Sequence, residues 1–241
     1  MKTDFVEGLS TTTRLMAAVS ATENRGAPET SWVLAQGEVG YGKSRAVARL
    51  AVAKDGIFVR AKAEWTPLWA LHDIGSELGL QRLHRKEPML TAIVEELRRT
   101  QPRILAIDEI DYAARKFEVL ETLRDITDIS ECVLLASGMK GASALIRRYP
   151  QIYDRIYETV TFGAATVDDI KLMCAKLCDV KIADDLAAHI QIRTGGKLRN
   201  VMNALGRIEA YGRKARTNKI TLDDWGKRPL SKDDPKGEPN G

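Results

Sequence analysis

Short apolar runs and helical periodicities alternate along the first two thirds of the chain. Residues 14–22 space their apolar positions as a helix does, and the proline and glycine of 24–29 end it. Ser31-Trp32-Val33-Leu34-Ala35 is short, apolar and β-prone; it runs into a glycine-rich stretch over 37–42 and then into helical periodicity over 44–53. Ile57-Phe58-Val59 predicts a second strand, 68–78 and 88–99 two helices, and 103–107 a third strand that ends on carboxylates. A helix over 118–129, a fourth strand over 132–136, a largely helical 142–155 and a fifth strand over 158–162 complete the alternation. Strands alternating with helices predict an α/β fold with a parallel five-stranded sheet covered on both faces. From Val167 the alternation stops, and 167–178, 183–194 and 197–214 predict three successive helices separated by Val180-Lys181 and Gly195-Gly196. The expected organisation is therefore an α/β domain over 1–164, a small helical domain over 165–226, and a tail over 227–241 that is rich in Pro, Gly, Lys and Asp and expected to be disordered.

A chain of 241 residues is one large domain or a main domain plus a small one. At 44% hydrophobic and 29% charged it has an ordinary globular composition. The first residues, Met1-Lys2-Thr3-Asp4-Phe5, lead into no signal-like apolar core, and nowhere do about 18 apolar residues run together. A cytoplasmic protein without membrane contact is expected. The net charge of +4 by itself predicts no nucleic-acid binding. Its distribution is less even: residues 193–219 carry eight lysines and arginines against one acid, Glu209. Cys132, Cys174 and Cys178 cannot all pair, and His72, His84 and His189 show no ligand spacing, so three buried reduced thiols are expected.

Gly37-Glu38-Val39-Gly40-Tyr41-Gly42-Lys43-Ser44 fits G-x-x-x-x-G-K-[ST] at every fixed position, between a predicted strand and a predicted helix. Gly37, Gly40 and Gly42 let the backbone N–H groups turn inward around a triphosphate, with Val39, Tyr41 and Arg45 in the same cradle. Lys43 reaches the β and γ oxygens, and the Ser44 hydroxyl ligates Mg²⁺. Ile104-Leu105-Ala106-Ile107-Asp108-Glu109 is an apolar strand closed by two acids: Asp108 is expected on the Mg²⁺ shell beside Ser44, and Glu109 as the general base that polarises the attacking water. The fourth strand ends Leu134-Leu135-Ala136-Ser137-Gly138, where Ser137 either bonds the γ-phosphate or the water, or belongs to an ordinary turn. Arg147, Arg148 and Arg155 precede the fifth strand and are candidates for an arginine finger, Arg155 ahead of Arg148. Arg199, at the start of the last helix after Gly195-Gly196, is a candidate sensor of the γ-phosphate.

These elements in this order resemble an AAA+ ATPase, from about Phe5 to Trp225. Ile107-Asp108-Glu109-Ile110-Asp111, Leu123-Arg124-Asp125 and Leu135-Ala136-Ser137-Gly138 look most like the branch that holds the phage Mu target-DNA activator (the B protein), the TnsC regulators, the ExeA-type ATPases and, further away, origin-recognition ATPases. That resemblance implies ATP and Mg²⁺ as ligands, a homo-oligomer or helical filament on duplex DNA, delivery of target DNA to a transposase, and hydrolysis that removes the filament. It also implies phosphate contacts by Lys62 and Trp65 after the second strand and by Arg115 and Lys116 at the start of the helix after the two acids. Binding through such contacts is sequence-tolerant and salt-sensitive. The chain departs from the Mu protein in having only about 30 residues before its first strand, which leaves DNA contact to the ATPase core. An ExeA-like or signalling ATPase with a protein partner and a replication initiator or helicase loader are the alternatives. A small-molecule kinase would insert an acceptor lid inside the α/β core, whereas here the helices follow the fifth strand.

Overall fold

The computed structural model describes residues 1–2, 5–99 and 104–231, so Arg103 at the expected start of the third strand and the tail beyond Ser231 lie outside the described residues. Its contacts divide the chain into two compact units. One holds Arg14–Glu38 and Lys43–Phe162, and the other Met1–Thr13, Val39–Gly42 and the chain from Gly163 onward.

The larger unit is built on five parallel strands: β1 (Trp32–Gly37), β2 (Ile57–Arg60), β3 (Ile104–Asp108), β4 (Val133–Met139) and β5 (Ile156–Phe162), in the order β2-β3-β4-β1-β5. Every residue of β3 is buried, as is expected for a strand between two neighbours with helices on both faces. The helices are α1 (Ser10–Glu23), α2 (Lys43–Ala53), α3 (Pro67–Glu77), α4 (Lys86–Arg99), α5 (Ile110–Ala113), α6 (Phe117–Ser130), α7 (Ala142–Ile146) and α8 (Pro150–Tyr153). Trp32, Leu71, Ile93, Leu105, Ile107, Leu123 and Leu134 belong to one continuous apolar core. Thr66 caps α3, its hydroxyl accepting from the Trp69 N–H, and Pro67 stands at the first helical position, where its missing N–H does no harm. The largely helical 142–155 is two short helices, because Pro150 starts a new turn instead of continuing the first.

The smaller unit contains α9 (Val167–Leu177), α10 (Asp184–Thr194), α11 (Leu198–Ala215) and α12 (Leu222–Trp225), with a two-stranded parallel sheet of β6 (Lys181–Ile182) and β7 (Lys219–Ile220) that periodicity did not signal. Thr166 and Asp169 form a reciprocal capping box on α9, and Asp169 also accepts from the backbone N–H and hydroxyl of Ser10, each at 2.7 Å. Ile170, Leu186, Ile190, Val201, Leu205 and Ile208 fill the core, joined by Val6 and Leu9. The N-terminal residues thus pack with the helical unit, although the sequence reading assigned 1–164 as one α/β stretch. Burial pushes the thiols of Cys132, Cys174 and Cys178 up to about 11, 12 and 11.

The start of the expected tail is also ordered. Leu230 is fully buried in the helical core, Trp225 donates its indole N–H to the Arg228 carbonyl at 2.9 Å, and the Arg207 guanidinium donates to the Pro229 carbonyl at 3.1 Å. The stretch read as tail-like because its composition is polar; one leucine supplies the anchor that composition hides. Leu230→Ala should therefore lower stability by about 2–5 kcal/mol in urea unfolding, where a disordered tail would show no change.

Candidate functional site

The strand order explains how separated residues meet. The chain leaves β1, crosses to the far edge at β2, and returns through β3 and β4 to the position beside β1, so the carboxyl ends of β1, β4 and β3 lie side by side. Crevices at such reversals are where parallel sheets bind ligands. Here β3 delivers Asp108, only 2% exposed. Ser44 from the first turn of α2 donates its hydroxyl to Asp108 Oδ1 at 2.9 Å. Ser137 from β4 donates to the same oxygen, and Arg60 Nε from the end of β2 donates to Oδ2 at 3.2 Å. A hydroxyl beside a carboxylate oxygen is a donor set that suits Mg²⁺, which takes few protein oxygens and fills its shell with phosphate and water.

Ser137 has a task at this carboxylate. It is fully buried and its hydroxyl donates to Asp108, which positions that carboxylate. Glu109 follows with φ of 57°, a left-handed backbone that a residue with a side chain adopts only when its surroundings hold it there. Its carboxylate is half-exposed and lies 3.8 Å from Arg60 Nε. Arg60 is a site residue that the sequence reading missed; the one signal was an arginine closing a short apolar strand, and only its register opposite Asp108 gives that meaning. Asp111 lies in the first turn of α5, just after the paired acids. It is buried and accepts from the Met139 N–H at 2.7 Å, fixing the end of β4.

Gly37 ends β1 against β5, where a Cβ would stand 2.4 Å from the Phe162 carbonyl oxygen; glycine is required there by close approach. Lys43 folds back, its ammonium donating to the carbonyls of Gly37 at 2.7 Å and Glu38 at 2.8 Å. Desolvation pulls its pKa below the usual lysine value, against the opposite pull of Asp111 and Asp108. The lysine is therefore ready to exchange two neutral carbonyls for charged oxygens. Arg45 is exposed on the first turn of α2, and Val39 is exposed at the loop tip with Tyr41 partly covered. Within the helical unit and its loop segment, the Arg199 N–H donates to the Gly40 carbonyl at 3.0 Å, and Leu198 packs against Gly42, while the Arg199 side chain is exposed.

Several other expected residues are placed differently. Arg155, first in line as a finger, forms a two-pronged ion pair with Asp128 of α6, Nε to Oδ1 at 3.0 Å and Nη2 to Oδ2 at 2.9 Å. Arg147 lies over the Tyr153 ring at 4.8 Å and donates to its hydroxyl at 2.7 Å, whereas Arg148 is exposed and has no ion pair among the described residues. Trp65 is fully buried, with its indole N–H donating to Asp73 at 2.7 Å, so it cannot contact DNA. Lys62 also pairs with Asp73, at 2.7 Å, but remains half-exposed. The Lys116 ammonium donates to the Trp65 carbonyl at 3.0 Å, and Arg115 is exposed beside Tyr112.

The strength of the Arg155–Asp128 pair can be measured directly. Arg155→Ala and Asp128→Ala, combined in a double-mutant cycle of urea unfolding, should show a coupling of about 1 kcal/mol. ATP hydrolysis by Arg155→Ala should stay within about twofold of the parent, where loss of a finger would lower it by far more.

A family model described as an AAA domain matches residues 29–156, more than half of the chain and the stretch that carries Gly37–Ser44, Asp108, Glu109 and Ser137. No curated protein sequence matches. Among solved structures, the chain is similar to the ORC2 protein of Aeropyrum pernix in ADPNP–ADP complexes, with a TM-score of 0.69 and 18% identity over 92% of this chain and 68% of that one. It is also similar to Cdc6p from Pyrobaculum aerophilum, with a TM-score of 0.62 and 16% identity over 92% and 68%. The ORC1 protein of Aeropyrum pernix in complex with DNA gives a TM-score of 0.60 and 20% identity over 88% of this chain and 61% of that one. These likenesses concern the fold, and they agree with the sheet order and P-loop described above. The match across the P-loop and the paired acids identifies the chain as a member of the AAA family of ATPases.

Proposed function

We propose that the protein is an ATPase that binds duplex DNA without sequence preference, assembles on it as an ATP-dependent oligomer or filament, and presents target DNA to a transposase, with hydrolysis driving disassembly. The observation that carries the nucleotide chemistry is the meeting of Ser44 and Asp108 at 2.9 Å beside Glu109. Ser44 and Asp108 would hold Mg²⁺, which when bound would supply neutralisation of phosphate charge. Lys43 exchanges the Gly37 and Glu38 carbonyls for phosphate oxygens. Ser137 and Arg60 fix the Asp108 carboxylate, and the strained backbone of Glu109 aims its carboxylate toward the attacking water, whose proton it accepts. Arg148 replaces Arg155 as the finger, because an exposed arginine without an ion pair is free to meet a neighbouring subunit's phosphate.

The DNA and transposase parts rest on the resemblance of 107–111, 123–125 and 135–138 to the target-activator branch, with exposed Arg115 and half-exposed Lys62 as phosphate contacts. A second reading, a replication initiator or helicase loader, is favoured by the fold likeness to ORC2 and Cdc6p. Stimulation of hydrolysis by a transposase encoded beside this gene supports the first reading; stimulation by a replicative helicase and not by a transposase replaces it with the second.

Two mutational results follow from the site. Lys43→Ala should lose binding of a fluorescent ATP analogue and with it assembly, whereas Glu109→Gln should bind the analogue normally, hydrolyse about 10²-fold more slowly or worse, and leave persistent oligomers in sedimentation. Equal hydrolysis by Glu109→Gln and the parent would remove Glu109 from the role of base.

The finger has its own signature. Arg148→Ala should lower hydrolysis about tenfold or more while leaving each monomer able to bind ATP. Mixing it with Lys43→Ala protein on DNA should restore part of the turnover, since mixed junctions pair an intact pocket with an intact finger. Confirmed mixed oligomers without rescue would exclude Arg148.

A further inference from the structure

The basic stretch over 193–219 has no task in the nucleotide site beyond Arg199, and the helical unit shows where its charge goes. Helix α11 is 18 residues long, about 27 Å. Its buried side is Val201, Ala204, Leu205, Ile208 and Gly212, so helical spacing turns Asn203, Arg207, Ala210 and Lys214 outward, all of them exposed. That face carries no acid. Glu209, the one carboxylate of the helix, is 4% exposed and is engaged by the Asp179 and Val180 N–H groups and by Arg213. Solvated helix faces usually mix both signs of charge. The helix dipole favours cations in the last turn and so accounts for Lys214, but not for Arg207 two turns earlier.

A second observation comes from the small sheet. Lys181 and Lys219 are register partners in β6 and β7, and both are exposed. Like charges directly opposite one another destabilise a strand pair. The nearby acids relieve this only in part: Asp224 attracts Lys219 through space while accepting from the Thr221 N–H at 2.9 Å and hydroxyl at 2.7 Å, and Asp179 pairs with Arg213 at 2.9 Å and the N-terminal amine at 3.0 Å. Lys181, Lys214, Arg216 and Lys219 have no ion pair among the described residues, and the Arg207 guanidinium touches only a carbonyl. Arg216 follows α11 directly in a left-handed conformation with φ of 52°, and Lys219 comes three residues later.

We propose that this corner of the helical unit, formed by Arg207, Lys214, Arg216, Lys181 and Lys219, is a binding surface for the phosphate backbone of duplex DNA. It rests on the DNA-binding reading above and adds a contact area that reading did not contain. The chemistry favours DNA over a protein partner. No large apolar side chain of α11 is exposed to serve as the buried anchor that protein interfaces need, and the cations from Arg207 to Arg216 spread over about 13 Å of helix axis. Duplex DNA offers a negative charge about every 1.7 Å along its axis. Gly206 and Ala210 keep the middle of the face low, so the helix backbone can approach a strand closely; a Cβ on Gly206 would meet nothing within 4 Å.

The test compares the full chain with a Lys181→Gln, Lys214→Gln, Lys219→Gln variant, each in a non-hydrolysable ATP analogue. Binding to a fluorescent 40-base-pair duplex is followed by anisotropy from about 50 to 200 mM salt, and binding to a polyglutamate peptide is followed in parallel. None of the three lysines belongs to the nucleotide site, so analogue binding serves as the check on folding. The variant should bind the duplex about tenfold more weakly at low salt, with the slope of log affinity against log salt reduced by about two to three, and the three lysines should be protected from acetylation when the parent protein is saturated with duplex. Unchanged affinity and slope, with a parent that binds DNA, would overturn this surface and leave the DNA-binding reading standing on Arg115 and Lys62. A parent that does not bind the duplex in any nucleotide state overturns both. Loss of polyglutamate binding with duplex binding intact overturns the proposal in favour of an acidic protein segment.

Discussion

A carboxylate cannot be buried at the end of a central strand unless other groups replace its water. Asp108 is in that position, and three elements supply the replacement: the Ser44 hydroxyl from the helix after the P-loop, the Ser137 hydroxyl from β4, and the Arg60 guanidinium from the end of β2. The strand order is what lets all three reach it. With β3 between β2 and β4, a change in register of β2 would take away Arg60 and one of β4 would take away Ser137, each removing one of the partners of the charge. Glu109, with its left-handed backbone, directly follows the buried aspartate.

The site around that charge is assembled from partners that can be exchanged. Lys43 sits on two loop carbonyls, Ser44 donates to a carboxylate, and Arg60 spans the neighbourhood of both acids. Each cation or hydroxyl has a neutral or charged alternative within reach once phosphate oxygens are present. Arrangements of this kind hold the polar groups satisfied before a ligand arrives and keep them close to their working positions, so little reorganisation is needed on binding.

The helical unit handles charge in the opposite way. Its internal carboxylates are fully used: Asp169 by Ser10 and Thr166, Glu209 by Arg213 and the backbone near Val180. What remains outside on α11 and the β6–β7 pair is cationic, and it is held in place by the packing of Ile208, Ile220 and Trp225 beneath it. A surface of one sign costs self-repulsion in the free protein, and a polyanion relieves that cost.

Read alone, the amino-acid order shows the alternation of strands and helices, the P-loop, the apolar strand closed by two acids, and the switch to a mainly helical C-terminal part. Each of these is a local signal: periodicity, glycine spacing, or an acid at a strand end, all legible within about ten residues. It did not reveal that Arg60 faces Asp108, that Arg155 is tied to Asp128, that Trp65 is core, that Ser137 serves a carboxylate, or that Leu230 anchors a polar-looking end. Those facts join residues 27 to 48 positions apart in some cases and turn on which way a side chain faces in others. Strand register and burial decide them, and neither exists until the sheet is assembled and the apolar faces have closed on one another.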